Sequence, residues 1–211
     1  IEKNASFPYL KTINLPPFII SPSAKDYLLQ NLEELRVSLE KFSGQKITTE
    51  SLRNSIRIYN KDRALLRRLY ELRRNNPGLL RAKEVLAIVH SSMLMPKEEH
   101  SQLLEELLLD FGKREASAGR KFRLILVGCL CQTPQAQILD LIENEGADIV
   151  GDDLFTGSQY FANDVEPNED PMISFANRYL KRTPPAITKS DYSFDWAGYI
   201  EEMVNRSSAQ G

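Results

Sequence analysis

The sequence is poor in the residues that most often carry chemistry. Its 211 residues include one tryptophan, two histidines and two cysteines, and the cysteines, Cys129 and Cys131, stand one residue apart. That spacing is too close for an ordinary structural disulfide. A lone C-x-C without a second Cys or His pair is also a weak metal signal. No G-x-G-x-x-G, Walker loop or nucleophile elbow occurs. The longest apolar runs, such as Leu107 to Leu109 and Leu124 to Val127, are far short of the roughly 18 residues a membrane span requires. No signal peptide opens the chain, so no membrane association and a reducing cytoplasmic compartment are expected. A net charge of −2 excludes a general nucleic-acid binder or a polybasic membrane binder. With 42% hydrophobic and 27% charged residues, the chain can bury a core. Its length fits one large domain or two small ones.

Charge is scarce in places rather than overall. From Leu124 to Asn177 there is no Lys or Arg, while ten Asp or Glu fall there. Between Ser51 and Glu84 the imbalance reverses, with ten basic residues against three acidic. Two oppositely charged surfaces that attract one another, within the chain or across a dimer, account for this pattern. The alternative is that Arg53, Arg57 and Lys61, one turn apart, meet phosphates of a ligand. Nucleic acid fits less well, because no aromatic interleaving accompanies the basic run.

The periodicity predicts an α/β protein, a helical layer followed by a partial Rossmann-like parallel sheet domain with flanking helices. Prolines 8, 16, 17 and 22 mark residues 1–22 as an extended lead-in segment. Residues 23–119 read as the helical region. Ser23 with Asp26 starts a helix whose apolar stripe is Leu28, Leu32, Leu35, Leu39 and Phe42, and Gly44 stops it. A second helix starts at Thr48 or Thr49, runs to Asn75-Asn76-Pro77-Gly78 and buries Leu52, Ile56, Tyr59, Leu66 and Leu69. A third covers about 79–92, and a fourth starts near Pro96.

Residues 120–211 read as the partial Rossmann-like domain. Leu124 to Val127 is a short apolar run ended by Gly128, the pattern of a strand covered on both faces. Thr133-Pro134 caps a helix carrying Ile138, Leu141 and Ile142, and Ala147 to Val150 is a second buried strand. Strand, helix and strand make a compact parallel crossover. Asp170-Pro171 opens a helix to about Leu180, and Ser193 or Asp195 opens the last. Two parallel strands alone leave unpaired edges, so a third strand is expected after Gly211, and the chain reads as a fragment.

Two turns fall at the carboxyl edge of this sheet, where open parallel sheets bind ligands. Cys129 and Cys131 follow the first strand, where a helix N-terminus would lower a thiol pKa and suit it to bind metal. The packing alternative is a pair of small buried residues. After the second strand come Asp152, Asp153, Leu154, Phe155, Thr156, Gly157 and Ser158. As a capped turn, these carboxylates and hydroxyls would satisfy local backbone donors. As a ligand loop, the hydroxyls and N–H groups would meet an anionic or thioester group, and paired carboxylates could do acid–base work. His90 and His100 lack a third ligand in register and read as structural.

The ordered segments Leu126-Val127-Gly128, Ile138 to Glu143, Gly146-Ala147 and Asp152 to Tyr160 resemble the 2-hydroxyacyl-CoA dehydratase and benzoyl-CoA reductase subunit family. So do Gly44 to Thr48 leading into Tyr59-Asn60 and Arg63 to Leu66, then Met95 to Glu99, then Asp170-Pro171 before Arg178-Tyr179-Leu180. The resemblance implies a subunit of an oxygen-sensitive enzyme of acyl-CoA thioesters with a 4Fe-4S cluster. Its implied partners are a homologous second subunit and an ATP-hydrolysing activator that donates a low-potential electron. The chemistry implied is radical dehydration of a 2-hydroxyacyl-CoA or reduction of an aromatic ring. Cluster ligands are expected outside this chain, before Ile1 and after Gly211. Many relatives carry cysteine where this chain has Phe155, and arginine where it has Gln159. Asp152, Asp153, Thr156, Gly157 and Ser158 are therefore expected near the substrate, with catalytic roles unassigned. A non-catalytic partner of the same fold that binds no cluster is the alternative.

Overall fold

The structure, a computed structural model, describes residues 7–114, 122–128, 134–167, 170–185 and 193–211, which fall in two compact units. One unit comprises residues 1–56 and 165–192, and the other residues 57–164 and 193–211.

In the first unit, helix α1 (Ala24–Ser43) packs against helix α7 (Pro171–Leu180). Gly44 ends α1 in the left-handed region, at φ 70°, where its N–H reaches the carbonyl of Glu40. Only Ala24 and Leu28 of α1 are buried, and Phe42 is exposed against the ring of Tyr9. The apolar stripe through Phe42 is thus broader than the face this unit covers. Helix α7 starts where sequence chemistry places it. Asp170 accepts from the N–H of Met172 at 2.8 Å, with Pro171 in the first turn. Asp170→Ala is expected to weaken α7 by about 1 kcal/mol, read as faster amide exchange confined to Pro171–Leu180.

The second unit begins inside helix α2 (Thr49–Asn75) and continues with α3 (Ala82–Leu94) and α4 (Lys97–Phe111). Leu65, Leu66, Leu69, Val85, Val89, Leu104 and Leu108 form its helical core. Tyr59 departs from the expected buried side and is 46% exposed. Two cationic side chains lie over its ring: Arg63 at 5.8 Å and Lys97 at 5.4 Å from the centroid.

Strand β1 (Phe122–Val127) pairs in parallel with β2 (Ala147–Asp153), joined by helix α5 (Ala136–Asn144). The α/β class is therefore present, with the predicted crossover. Alternation sorts β2 onto two cores. Ile149 packs with Ala82, Leu86, Leu139 and Leu154, while Val150 packs with Ile125 and Met203 of helix α8 (Trp196–Ser207).

All of β2 is buried, but β1 is not covered on both faces as its apolar run suggests, since Phe122 and Val127 are exposed. On α5, Ile138 and Leu141 are exposed and Leu139 and Glu143 buried. Glu143 accepts from the backbone N–H of Ala82 at 2.9 Å, so the inward face of α5 caps the start of α3 with a carboxylate. The residues after α8 run along the free edge of β1. There the N–H of Gln210 donates to Arg123 and that of Ile125 to Gly211, at 2.8 and 2.9 Å.

Candidate functional site

Strand β2 delivers two carboxylates to the carboxyl edge of the sheet, and the chain then turns into the short helix α6 (Ser158–Phe161). Both carboxylates are buried, Asp152 at 2% exposure and Asp153 at 4%. A buried carboxylate must be paired or hydrogen-bonded, and here the partners come from two directions. On the helical side, Tyr70 Oη donates to Asp152 Oδ2 at 2.6 Å, and Arg73 Nη1 stands 3.5 Å from the same oxygen. On the loop side, Asp152 Oδ1 accepts from the N–H of Ser158 at 2.8 Å. The Ser158 hydroxyl closes the turn onto the Asp152 carbonyl at 2.6 Å.

Asp153 repeats the theme on the other face. Tyr199 Oη and Gln159 Nε2 each donate to its Oδ1, at 3.0 Å. Burial, and then the charge of Asp152, push the Tyr70 phenol well above its ordinary pKa. Burial and the charge of Asp153 raise Tyr199 likewise. Both phenols thus stay protonated as donors.

Gly157 closes the turn from below. A Cβ there would lie 2.0 Å from Asp152 Oδ1 and 2.8 Å from its Cγ. Asp152 and Ser158 are therefore one hydrogen-bonded unit closed against Gly157, with Thr156 half-buried in the same turn. Such a turn sets its backbone at the sheet edge while the carboxylates brace it from within. Tyr70, Arg73 and Tyr199 also belong to this site, and no motif or spacing in the sequence marks them as members; Gln159, the fourth, lies within the segment Asp152 to Tyr160 already singled out.

Cys129 and Cys131 lie outside the described residues. Among the described residues no group of three or more His, Cys, Asp or Glu could hold a metal ion. An iron–sulfur cluster requires thiolates, and no described residue supplies one, so the described site does not fit a cluster. No helix of the described residues is long and apolar enough to cross a membrane.

Part of the charge segregation resolves into pairs inside this unit. Arg67 grips Asp164 at 2.7 and 3.0 Å, and Arg81 and Lys83 meet Asp140 at 3.0 and 2.8 Å. Lys61, one of the candidate phosphate ligands, pairs with Glu105 at 3.0 Å.

Fold and site together define an α/β protein with a braced loop at the carboxyl edge of a parallel sheet. Residues 2–211 match the family model described as 2-hydroxyglutaryl-CoA dehydratase, D-component. The chain belongs to that family. It is 31% identical over 204 residues to a benzoyl-CoA reductase subunit of Thauera aromatica, covering 96% of this chain and 53% of the relative. It is 26% identical to the (R)-phenyllactyl-CoA dehydratase beta subunit of Clostridium sporogenes, covering 90% of this chain and 50% of that protein. With the beta subunit of (R)-2-hydroxyglutaryl-CoA dehydratase from Acidaminococcus fermentans it shares 26% identity, again over 90% and 50%. The chain thus spans about half the length of these curated relatives.

Proposed function

We propose that the protein carrying this chain is a subunit of an enzyme acting on acyl-CoA thioesters, by reducing benzoyl-CoA or dehydrating a 2-hydroxyacyl-CoA. The observation that carries this reading is the family match over residues 2–211, whose relatives are named for reactions of CoA thioesters. In this reading the turn Thr156-Gly157-Ser158 lies beside the thioester, and Asp152 and Asp153 fix its shape rather than transferring protons. Their burial and their phenol partners support that division. A homologous second subunit and an ATP-hydrolysing electron donor complete the system, in the cytoplasm. The hard chemistry is supplied by a 4Fe-4S cluster. With two cysteines in the whole chain, at least half the thiolates of a four-cysteine cluster come from outside it.

The test is anaerobic purification of the full-length protein with its partner subunit. Iron and acid-labile sulfide are counted, and binding of benzoyl-CoA and 2-hydroxyglutaryl-CoA is titrated. About four iron and four sulfide per cluster-bearing subunit, with one acyl-CoA bound, is the expected result. Acyl-CoA binding without iron in this subunit would favour a non-catalytic partner of the same fold. Neither iron nor acyl-CoA would overturn the reading.

A further inference from the structure

Two of the sequence segments that carried the family resemblance, Tyr59 to Leu66 and Met95 to Glu99, meet the end of the loop segment at one spot of the second unit. Tyr59, Asn60 and Arg63 lie on α2, Lys97 on the first turn of α4, and Tyr160 on α6. Arg63 and Lys97 lie over the same exposed Tyr59 ring, at 5.8 and 5.4 Å. Lys97 is itself buried beneath the surface, donating to Tyr160 Oη and Ser92 Oγ at 2.7 Å each. Two cations sharing one ring are not a low-energy arrangement unless negative charge is near.

The nearby carboxylates do not supply enough of it. Asp164 is gripped bidentately by Arg67. Asp62 stands 3.6 Å from Lys97 and is also bonded to His100 and Ser92, at 2.5 and 2.6 Å. Three fixed cations (Arg63, Arg67 and Lys97) therefore face two carboxylates (Asp62 and Asp164), and the surplus is one positive charge. Arg63 carries it. It donates to the neutral amide oxygen of Asn60 at 2.6 Å and lies in no ion pair among the described residues.

We propose that Arg63, flanked by Tyr59 and by the Lys97–Tyr160 pair, is an oxyanion subsite that takes a phosphate or carboxylate group of the ligand. The guanidinium fork suits either group, and Arg63 is half-buried beside the buried Lys97, a setting where a charge-assisted bond is stronger than in water. Lys97 and Tyr160 hold α6 against this patch, and α6 begins at Ser158 of the loop. A ligand anchored at Arg63 is thereby tied to the same short element that closes the candidate turn. Placing that oxyanion on an acyl-CoA, as its coenzyme phosphates or an acyl carboxylate, rests on the proposed function. The preference for an oxyanion does not.

The test uses the full-length protein with its partner subunit, titrated calorimetrically with inorganic pyrophosphate, with glutarate and with coenzyme A. Pyrophosphate and coenzyme A binding without glutarate would identify the phosphates as the source. Glutarate binding would identify a carboxylate. In either case Arg63→Gln is expected to weaken the binding probe at least about tenfold. Arg63→Lys, which keeps the charge and loses the fork, is expected to fall between. Arg68→Gln, on an exposed position of the same helix, is expected to leave it unchanged. If no probe binds the native protein, or if Arg63→Gln and Arg68→Gln behave alike, the subsite is overturned. Acyl-CoA binding that survives Arg63→Gln overturns the subsite and leaves the proposed function standing. Pyrophosphate binding sensitive to Arg63, with no acyl-CoA bound by the native protein, does the reverse.

Discussion

Asp62→Asn is expected to cost about 3–5 kcal/mol of local stability at neutral pH, because it leaves the buried Lys97 ammonium without its counter-charge and breaks the bonds Asp62 makes. Asp62 is 1% exposed and is bound from two helices at once, α3 and α4. His100 Nδ1 of α4 meets its Oδ1 at 2.5 Å, Ser92 Oγ of α3 donates to its Oδ2 at 2.6 Å, and Ser101 Oγ adds a third bond at 3.2 Å. The other ring nitrogen of His100 faces the Ile88 carbonyl at 3.1 Å, so both nitrogens point at acceptors. Burial pushes the Asp62 carboxyl up, but the bonds from His100 and Ser92 and the charges of His100 and Lys97 outweigh it. The net is a pKa below the ordinary carboxylate value.

The sign of the pH dependence follows. In the unfolded chain Asp62 titrates near about 3.9, and in the folded protein lower. Its contribution is therefore complete above the unfolded value and is lost as pH falls through the folded one. Protection of α2, α3 and α4 amides against hydrogen exchange is expected to drop in Asp62→Asn at pH 7. The gap between variant and native protein should close as the pH falls below about 4. Equal protection at pH 7 would show that the buried network contributes nothing to holding these helices together.

Legibility in the sequence depends on the distance between partners. Helix limits are legible where a local signal sets them, as Gly44 does for α1 and Asp170-Pro171 does for α7. The parallel crossover is legible because the apolar period changes from helical to continuous after Gly119. The separation of charge along the chain foretells attraction between its two parts, and Arg67–Asp164 and Arg73–Asp152 are instances.

Bonds between residues with no periodic relation are not legible. Tyr70 and Asp152 are 82 positions apart, and Asp62 and His100 are 38 apart. Tyr70, Asp62 and His100 are buried polar residues on helices, and Asp152 is one on a strand; each signals a buried partner without saying which one. His100 reads as structural, and its bonds to Asp62 and Ile88 are those of a residue inside a packed network. Tyr59 fails in the opposite sense, because a helical stripe counts an aromatic ring as apolar whether helices or cations cover it.

Gly157→Ala is the second large effect, and it tests the loop itself. The added Cβ would sit 2.0 Å from Asp152 Oδ1 and 3.2 Å from the Cβ of Leu154. A clash with a carboxylate is often relieved by rotating it, and Gly198 shows such a case. There the Cβ would meet Asp195 Oδ2 at 2.4 Å, but Asp195 is an exposed helix cap with room to turn.

Asp152 has no such room. Tyr70 and Arg73 hold Oδ2 on one side, and the Ser158 N–H holds Oδ1 on the other. Relief must break one of these bonds or open the turn. Each bond to a charged group contributes about 1.5–3 kcal/mol, and overpacking adds about 1–3 kcal/mol. A local loss of about 3–5 kcal/mol is therefore expected, seen as rapid exchange of the amides from Leu154 to Phe161. Gly198→Ala is expected to change little.

A double variant separates the clash from a general intolerance of the turn. In an Asp152→Ala background the added methyl meets no carboxylate, so most of the Gly157→Ala penalty should vanish. Additive penalties would mean that Gly157 is needed for some reason other than the approach of Asp152, and the braced-turn account of the site would fail with them.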